Sequence, residues 1–247
     1  MGAFYGNIVL KGPSQAEVAA ALRGRNAAVT EKIGECIVVF DSVVDEQDTD
    51  RIQGLSSRLS KDFQCAVLAA IVHDDDVFMY LCYNRGNLVD WYNSAPDYFG
   101  TDTEGESSAP AGGDAQVLCS LFAADRVNEV RAILHGNQYT FETQRHGDLV
   151  RAMRLPEVIV GTALASLERG EYPDGLSEHE IVWADDPPPK EDLETRLERE
   201  FYEKLGSEDA SRRCKRPGCT RGSVRFSLLC KRHHFEMIKG HACPFGE

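Results

Sequence analysis

CAVLAAIVHDDDVFMYLCYNRGNLVDWYN, residues 65–93, holds three apolar runs of strand length separated by two polar breaks. Cys65–Val72 is rich in β-branched and small apolar residues, and Val77–Tyr83 and Leu88–Asn93 follow at short range. Between the last two, Asn84-Arg85-Gly86-Asn87 supplies residues that tolerate the positive φ of a tight hairpin, so the segment predicts an antiparallel meander. Upstream, Asn7–Lys11 predicts a strand, followed by a helix opened by Ser14-Gln15-Ala16-Glu17, a capping box in which serine caps the first turn and glutamate reaches back. That helix ends near Gly24. Ala27–Glu31 and Cys36–Phe40 read as a pair of strands, and Ile52, Leu55, Leu59 and Phe63 recur at helical spacing. The succession predicts an α+β fold: a mostly antiparallel sheet with helices on one face.

Beyond the meander, Gly100–Asp114 is small, polar and rich in Gly, Pro and Ser, as a loop or linker is. Ala115–Leu121, Asp125–Leu134 and Phe141–Leu155 show helical spacing and predict a small helical subdomain. Val158–Leu167 is predominantly apolar, and its period does not separate strand from helix. Asp185-Asp186-Pro187-Pro188-Pro189 breaks the chain into an extended spacer. A charged helix over Lys190–Leu205 then carries Leu193, Leu197, Phe201 and Leu205 on one side, a stripe that docks on the body or links body to tail. The expected organisation is a sheet domain over 1–100, a helical or mixed subdomain packed on it over 114–183, a Pro-rich spacer and charged helix over 184–210, and a zinc-binding module over 211–247.

The net charge of -13 conceals two opposite parts. Residues 211–247 carry nine Lys and Arg against Glu236 and Glu247, a charge of +7, which leaves -20 on residues 1–210. An acidic body argues against whole-surface nucleic-acid binding and leaves the basic tip as the part suited to it. No apolar run approaches the ~18 residues of a membrane span, and the first residues lack a basic stretch followed by an apolar one, so a cytoplasmic protein without membrane contact is expected.

The eight cysteines also divide. Cys36, Cys65, Cys82 and Cys119 lie singly in apolar segments, as core thiols do. Cys214, Cys219, Cys230 and Cys243 crowd the tail beside His233, His234 and His241. Zinc needs four nitrogen or sulfur ligands at tetrahedral angles, and two ligand pairs presented by a turn and a helix start supply them without a large core. Cys214 and Cys219 flank the turn-forming Pro217-Gly218, and Cys230 precedes His233 by the two-residue spacer that suits the first turn of a helix. The expected ligands of a structural Zn2+ are therefore Cys214, Cys219, Cys230 and His233, with His234, His241 and Cys243 as alternatives for the fourth.

The spacing Cys-x4-Cys-x10-Cys-x2-His over 214–238 resembles the small treble-clef-type zinc knuckles appended to many bacterial proteins. The resemblance implies zinc; such modules bind nucleic acid, bind protein, or fold a tail. His73-Asp74-Asp75-Asp76, with Tyr80, Gly86, Asp90 and Asn93–Phe99, makes residues 65–99 similar to a bacterial family of unknown function, which brings no activity with it.

His73-Asp74-Asp75-Asp76 suits a hard cation, a basic partner or a polar connection between strands; consecutive strand residues point to opposite faces, which favours the connection. The acidic run Asp45–Asp50 places favourable charge before the helix near Thr49. His73, His135, His146 and His179 stand away from any Cys or Ser that would mark a nucleophile, and no Gly-rich segment lies between strand and helix as a phosphate cradle does. The expectation is a non-enzymatic protein whose acidic body recognises a basic protein, in the manner of immunity proteins and toxin inhibitors, with a zinc-stabilised tail. The alternatives are a regulatory protein meeting nucleic-acid phosphates through residues 211–239, and an enzyme.

Overall fold

Strand β1 (Tyr5–Lys11) occupies the middle of a sheet because both its faces are apolar: Ile8 and Leu10 point one way, Tyr5 and Val9 the other, and all four are buried. The structure is a computed structural model that describes residues 2–100, 109–185 and 193–245. In chain order, β1 is followed by α1 (Gln15–Ala21), β2 (Ala27–Thr30), β3 (Cys36–Asp41), α2 (Ser42–Asp45), α3 (Thr49–Asp62), β4 (Ala66–His73), β5 (Val77–Asn84), β6 (Asn87–Asn93) and β7 (Ala111–Gly112). Helices α4 (Ala115–Phe122), α5 (Val127–His135), α6 (Glu142–Met153) and α7 (Leu164–Glu168) come next, then β8 (Ile181–Trp183). The eight strands form one sheet in the order β7-β6-β5-β4-β1-β3-β2-β8, with antiparallel pairing throughout. The protein is thus a mixed α+β fold on a large antiparallel sheet.

The alternation that builds β1 continues in its neighbours. Val38 and Phe40 of β3, Leu68 and Val72 of β4, and Phe78 and Tyr80 of β5 face the same side as Val9, and the helices after residue 114 cover them with Leu118, Val130, Leu149 and Leu167. Ile37, Val39, Val67 and Ile71 face the other side, under Val18, Val44, Ile52 and Leu59 from α1, α2 and α3. The helices of the first hundred residues therefore share one face, and the later helices cover the opposite one. Two-sided burial is why the central strands read as continuous apolar runs.

Local signals operate as the residues dictate. Ser14 and Glu17 form the reciprocal capping box of α1, and Arg85 and Gly86, both at positive φ, turn the β5–β6 hairpin. Asp48 caps α3 by accepting from the Arg51 amide at 3.1 Å. Val158–Leu167 resolves into a single 3-10 turn, Glu157–Ile159, followed by α7. The amides that start α7 donate to a distant carboxylate: Asp45 accepts from Leu164 at 3.1 Å and from Ala165 at 2.9 Å. In the same way Asp75 accepts from the Thr143 amide at 2.8 Å and serves α6, whose own N-cap residue, Phe141, makes no side-chain cap bond.

Deep in the helix-covered side, His146 lies between Tyr5 and Phe78, with ring centroids 5.7 and 4.9 Å away and near-parallel planes. Its Nδ1 meets the Tyr5 hydroxyl at 2.8 Å, and its Nε2 is buried without a partner. Burial drives its pKa down to about 3.

The chain divides into two compact units, residues 1–188 and 189–247. In the second, α8 (Leu193–Lys204) leads to β9 (Glu208–Arg213), β10 (Gly222–Val224) and α9 (Lys231–Lys239). Strand β9 crosses residue 210 and pairs antiparallel with β10, so the tail hairpin begins within the segment read as charged helix and spacer. The triple proline and residues 101–108 of the Gly-rich linker lie outside the described residues. Among the described residues no helix is long and apolar enough to cross a membrane.

Candidate metal centre

Cys214 directly follows β9, and the bond from its amide to the Arg221 carbonyl, 2.9 Å, closes the loop that carries Cys219. Within that loop Gly218 takes φ 79°, a left-handed conformation that glycine adopts freely, and the Cys219 amide donates to the Arg216 carbonyl at 3.1 Å. Cys230 is the N-cap residue of α9, and its sulfur accepts from the His233 amide at 3.4 Å. His233 thereby occupies the first turn of α9 and faces the sulfurs.

Four side chains converge. His233 Nδ1 lies 3.4 Å from Cys214 Sγ and 3.2 Å from Cys230 Sγ, and Cys219 Sγ lies 3.9 Å from Cys230 Sγ. All four candidate ligand atoms lie within 4.8 Å of one another. Metal–sulfur and metal–nitrogen bonds of ordinary zinc length at tetrahedral angles place ligand atoms about 3.6 to 3.8 Å apart, so the cluster has the dimensions of such a site. Among the described residues it is the one group of this kind.

Electrostatics also calls for a cation. At Cys214, burial alone would raise the pKa, but amide donors, chiefly that of Arg216, and the His233 ring bring it down to about 6. At Cys230, burial and the neighbouring thiols push it up to about 11. Thiolates held this close repel one another, a repulsion that a cation at the centre would offset.

The alternatives for the fourth position face elsewhere. His234 Nδ1 meets Ser227 Oγ at 2.8 Å, His241 Nε2 meets Glu198 Oε1 at 2.7 Å, and the Cys243 thiol donates to the Phe245 carbonyl at 3.3 Å. Two residues outside the sequence reading brace the site. Glu208 accepts from the Lys231 amide at 2.8 Å, at the positive end of α9, and pairs with Arg221 at 3.0 Å. Glu198, largely buried, holds α8 to the end of α9 through Lys239 and His241. Beneath the cluster Phe235 is fully buried among Phe201, Tyr202, His241 and Phe245, ring centroids 5.6 to 6.0 Å apart.

The other residues singled out by sequence take structural positions. Asp74 accepts from the Gly2 amide, Asp75 serves α6, and Asp76 accepts from the Tyr98 hydroxyl at 3.2 Å, so the three carboxylates point to three partners. His73 Nδ1 meets Gln47 Oε1 at 2.7 Å, and Phe4, Tyr98 and Phe99 surround its ring at 5.0 to 5.8 Å. Those three aromatics remain exposed, whereas Tyr92 is core and donates to the Leu134 carbonyl at 2.6 Å. His135 meets the Gly113 carbonyl at 3.3 Å and His179 meets Ser177 Oγ at 3.3 Å. Burial pushes Cys65 up to about 11 and Cys82 up to about 12, the behaviour of inert core thiols.

Compared with models of protein families, with curated proteins and with solved structures, the chain finds no match.

Proposed function

We propose that Cys214, Cys219, Cys230 and His233 bind a structural Zn2+ that folds the C-terminal unit, and that the protein acts by binding rather than by catalysis. The observation behind the metal assignment is the convergence of four ligand atoms within 4.8 Å on a scaffold of few apolar side chains. A bound Zn2+ would supply the cation that three thiolates need; four protein ligands complete its coordination and leave no position for substrate, which supports a structural role. Elemental analysis of the full chain purified without chelator tests this. One zinc per chain, lost from a Cys214→Ser/Cys219→Ser variant, is the expected result, and a metal-free, folded tail defeats the assignment.

For the body, the exposed aromatics around His73 favour recognition of a basic protein. Phe4, Tyr98 and Phe99 form an apolar patch beside Asp74 and Asp76 on a strongly acidic chain segment. Arginine and lysine side chains gain from both parts of such a surface, through the ring faces and through the carboxylates. An arginine-rich peptide should bind the full chain in a salt-sensitive manner and bind a Tyr98→Ala/Phe99→Ala variant at least about 5-fold more weakly. Equal binding by both proteins would remove the patch from the recognition surface.

A further inference from the structure

The loop that follows β10 holds a side chain that the packing of the tail does not use. Phe226 is 91% exposed, more than any other large apolar residue described, and its backbone sits at φ 66°, in the left-handed region that a bulky side chain avoids. The turn is held from both sides: the Ser227 amide donates to the Val224 carbonyl at 3.1 Å, and the Leu229 amide donates to Ser227 Oγ at 3.1 Å. Glycine would satisfy this backbone without strain, so the phenylalanine carries a conformational cost that its own contacts within the fold do not offset. Strain retained for a solvent-exposed ring points to a ligand for that ring.

The surroundings identify its chemistry. The Arg225 guanidinium lies over the Phe226 ring at 5.0 Å from its centroid. The bond from the Lys215 amide to the Leu228 carbonyl, 2.9 Å, holds the Phe226 loop against the metal-site turn that carries Lys215 and Arg216. Arg225, Lys215 and Arg216 are all exposed. Elsewhere in the tail Arg221, Arg232 and Lys239 pair with Glu208, Glu236 and Glu198, and Lys231 lies over the Tyr202 ring, whereas Arg225, Lys215 and Arg216 stand on the Phe226 loop and the turn bonded to it. A flat apolar ring extended by a stacked guanidinium, with further cations on the adjoining turn, matches a stacked base and its flanking phosphates.

We propose that the Arg225-Phe226 loop and the adjoining Lys215-Arg216 turn bind single-stranded nucleic acid, with one base stacked on Phe226 and the cations meeting phosphates. A duplex keeps its bases stacked on each other and offers the ring no face, so the site selects single strands. A bilayer surface is the competing occupant, since one exposed ring among cations also suits anionic lipid. The guanidinium stacked on the ring favours the base, and Leu228, 60% exposed on the same loop, adds apolar surface beside it. This reading is independent of the partner proposed for the acidic body and requires only that the tail be folded.

The test uses the full chain loaded with zinc, with metal content measured for every variant so that loss of the fold is separated from loss of binding. A fluorescent oligothymidylate and a duplex of equal length are titrated at several salt concentrations. The single strand is expected to bind more tightly than the duplex, and Phe226→Ala to weaken it by about 5- to 150-fold, the range for loss of one stacked base. Phe226→Ala should leave the salt slope unchanged, whereas Arg216→Gln or Arg225→Gln should reduce it by about 0.7 per phosphate contact removed. Equal binding by Phe226→Ala with full zinc, or duplex binding as tight as single strand, overturns the proposal. Phe226-dependent sedimentation with phosphatidylserine vesicles in place of oligonucleotide binding overturns it in favour of a membrane surface.

Discussion

Lowering the pH from 7 to 5 should destabilise the sheet unit through His146. In the folded protein this ring is enclosed by Tyr5, Phe78 and the body of α6, and its pKa falls to about 3; in the unfolded chain it returns to the ordinary value of 6.5. Between these two values the unfolded state holds one more proton than the folded state, so stability declines as pH falls, beginning near 6.5 and ending near 3. Integrating from pH 7 to pH 5 gives a loss of about 2 kcal/mol, roughly a 30-fold change in the folding equilibrium. Asp45 and Glu142, whose pKa values burial raises, act in the opposite direction, because a folded state that holds a carboxyl proton more tightly gains stability as pH falls toward the carboxylate range. Comparison at pH 7, 6 and 5 keeps their contribution small. The assay is urea unfolding followed by tryptophan fluorescence, which reports this unit alone because Trp91 and Trp183 both lie within residues 1–188. His146→Phe keeps a ring between Tyr5 and Phe78 and removes the titrating group. Its baseline stability should drop by about 0.5 to 1.5 kcal/mol for the lost bond to the Tyr5 hydroxyl, and its pH dependence over this interval should flatten. If the wild-type protein keeps its stability at pH 5, or the variant loses as much as the wild type, the account of His146 is wrong.

Chelation of zinc should abolish amide protection across 208–245 while the tryptophan-reported transition stays unchanged, because among the described residues Tyr202, Val224 and Phe235 are the few large apolar side chains buried in that unit. Amide exchange by mass spectrometry checks this. Phe226→Gly should stabilise the zinc-loaded tail by about 1 to 2 kcal/mol, by removing left-handed strain, and should weaken oligonucleotide binding at the same time. Chemical denaturation read at the tail and the titration described above give the two halves of that outcome. Asp75→Ala should destabilise the sheet unit by about 0.5 to 2 kcal/mol, the usual cost of losing a helix cap, here that of a helix 68 residues away. Urea unfolding measures it.

Much of this architecture is legible where sequence signals are local. The capping box at Ser14, the Arg85-Gly86 turn and the period-two apolar faces of the central strands each depend on neighbours a few residues away. The spacing of Cys214, Cys219, Cys230 and His233 is legible for the same reason, since a turn and a helix start present two ligands each. What escapes local reading depends on distant partners. Val158–Leu167 is mostly apolar with no decisive period, and α7 starts where Asp45, 119 residues earlier, accepts its first amides. Local sequence assigns the acidic runs to favourable charge before α3 and to a polar link between strands. In the fold, Asp45 and Asp75 serve helices of the opposite layer. Glu208 escaped because its partners, Arg221 and the Lys231 amide, come together only when the tail closes. Phe226 escaped because an isolated phenylalanine carries no signal of its exposure or its backbone angle.

Strand β2 finds its outer neighbour late. Its inner edge pairs with β3 almost at once, but its outer edge waits for Ile181–Trp183, with Ala28 opposite Trp183 and the Glu31 amide bonded to the Glu180 carbonyl at 2.7 Å. During synthesis, then, a nascent chain can assemble its sheet and most of its helices while one edge still offers free amides and carbonyls to any passing strand. β8 acts as a stopper placed near the end of the message for that unit. A polypeptide interrupted before residue 181 would leave the outer edge of β2 bare, whereas the finished unit ends on the three-residue β8, an edge that offers little length for another strand to pair with.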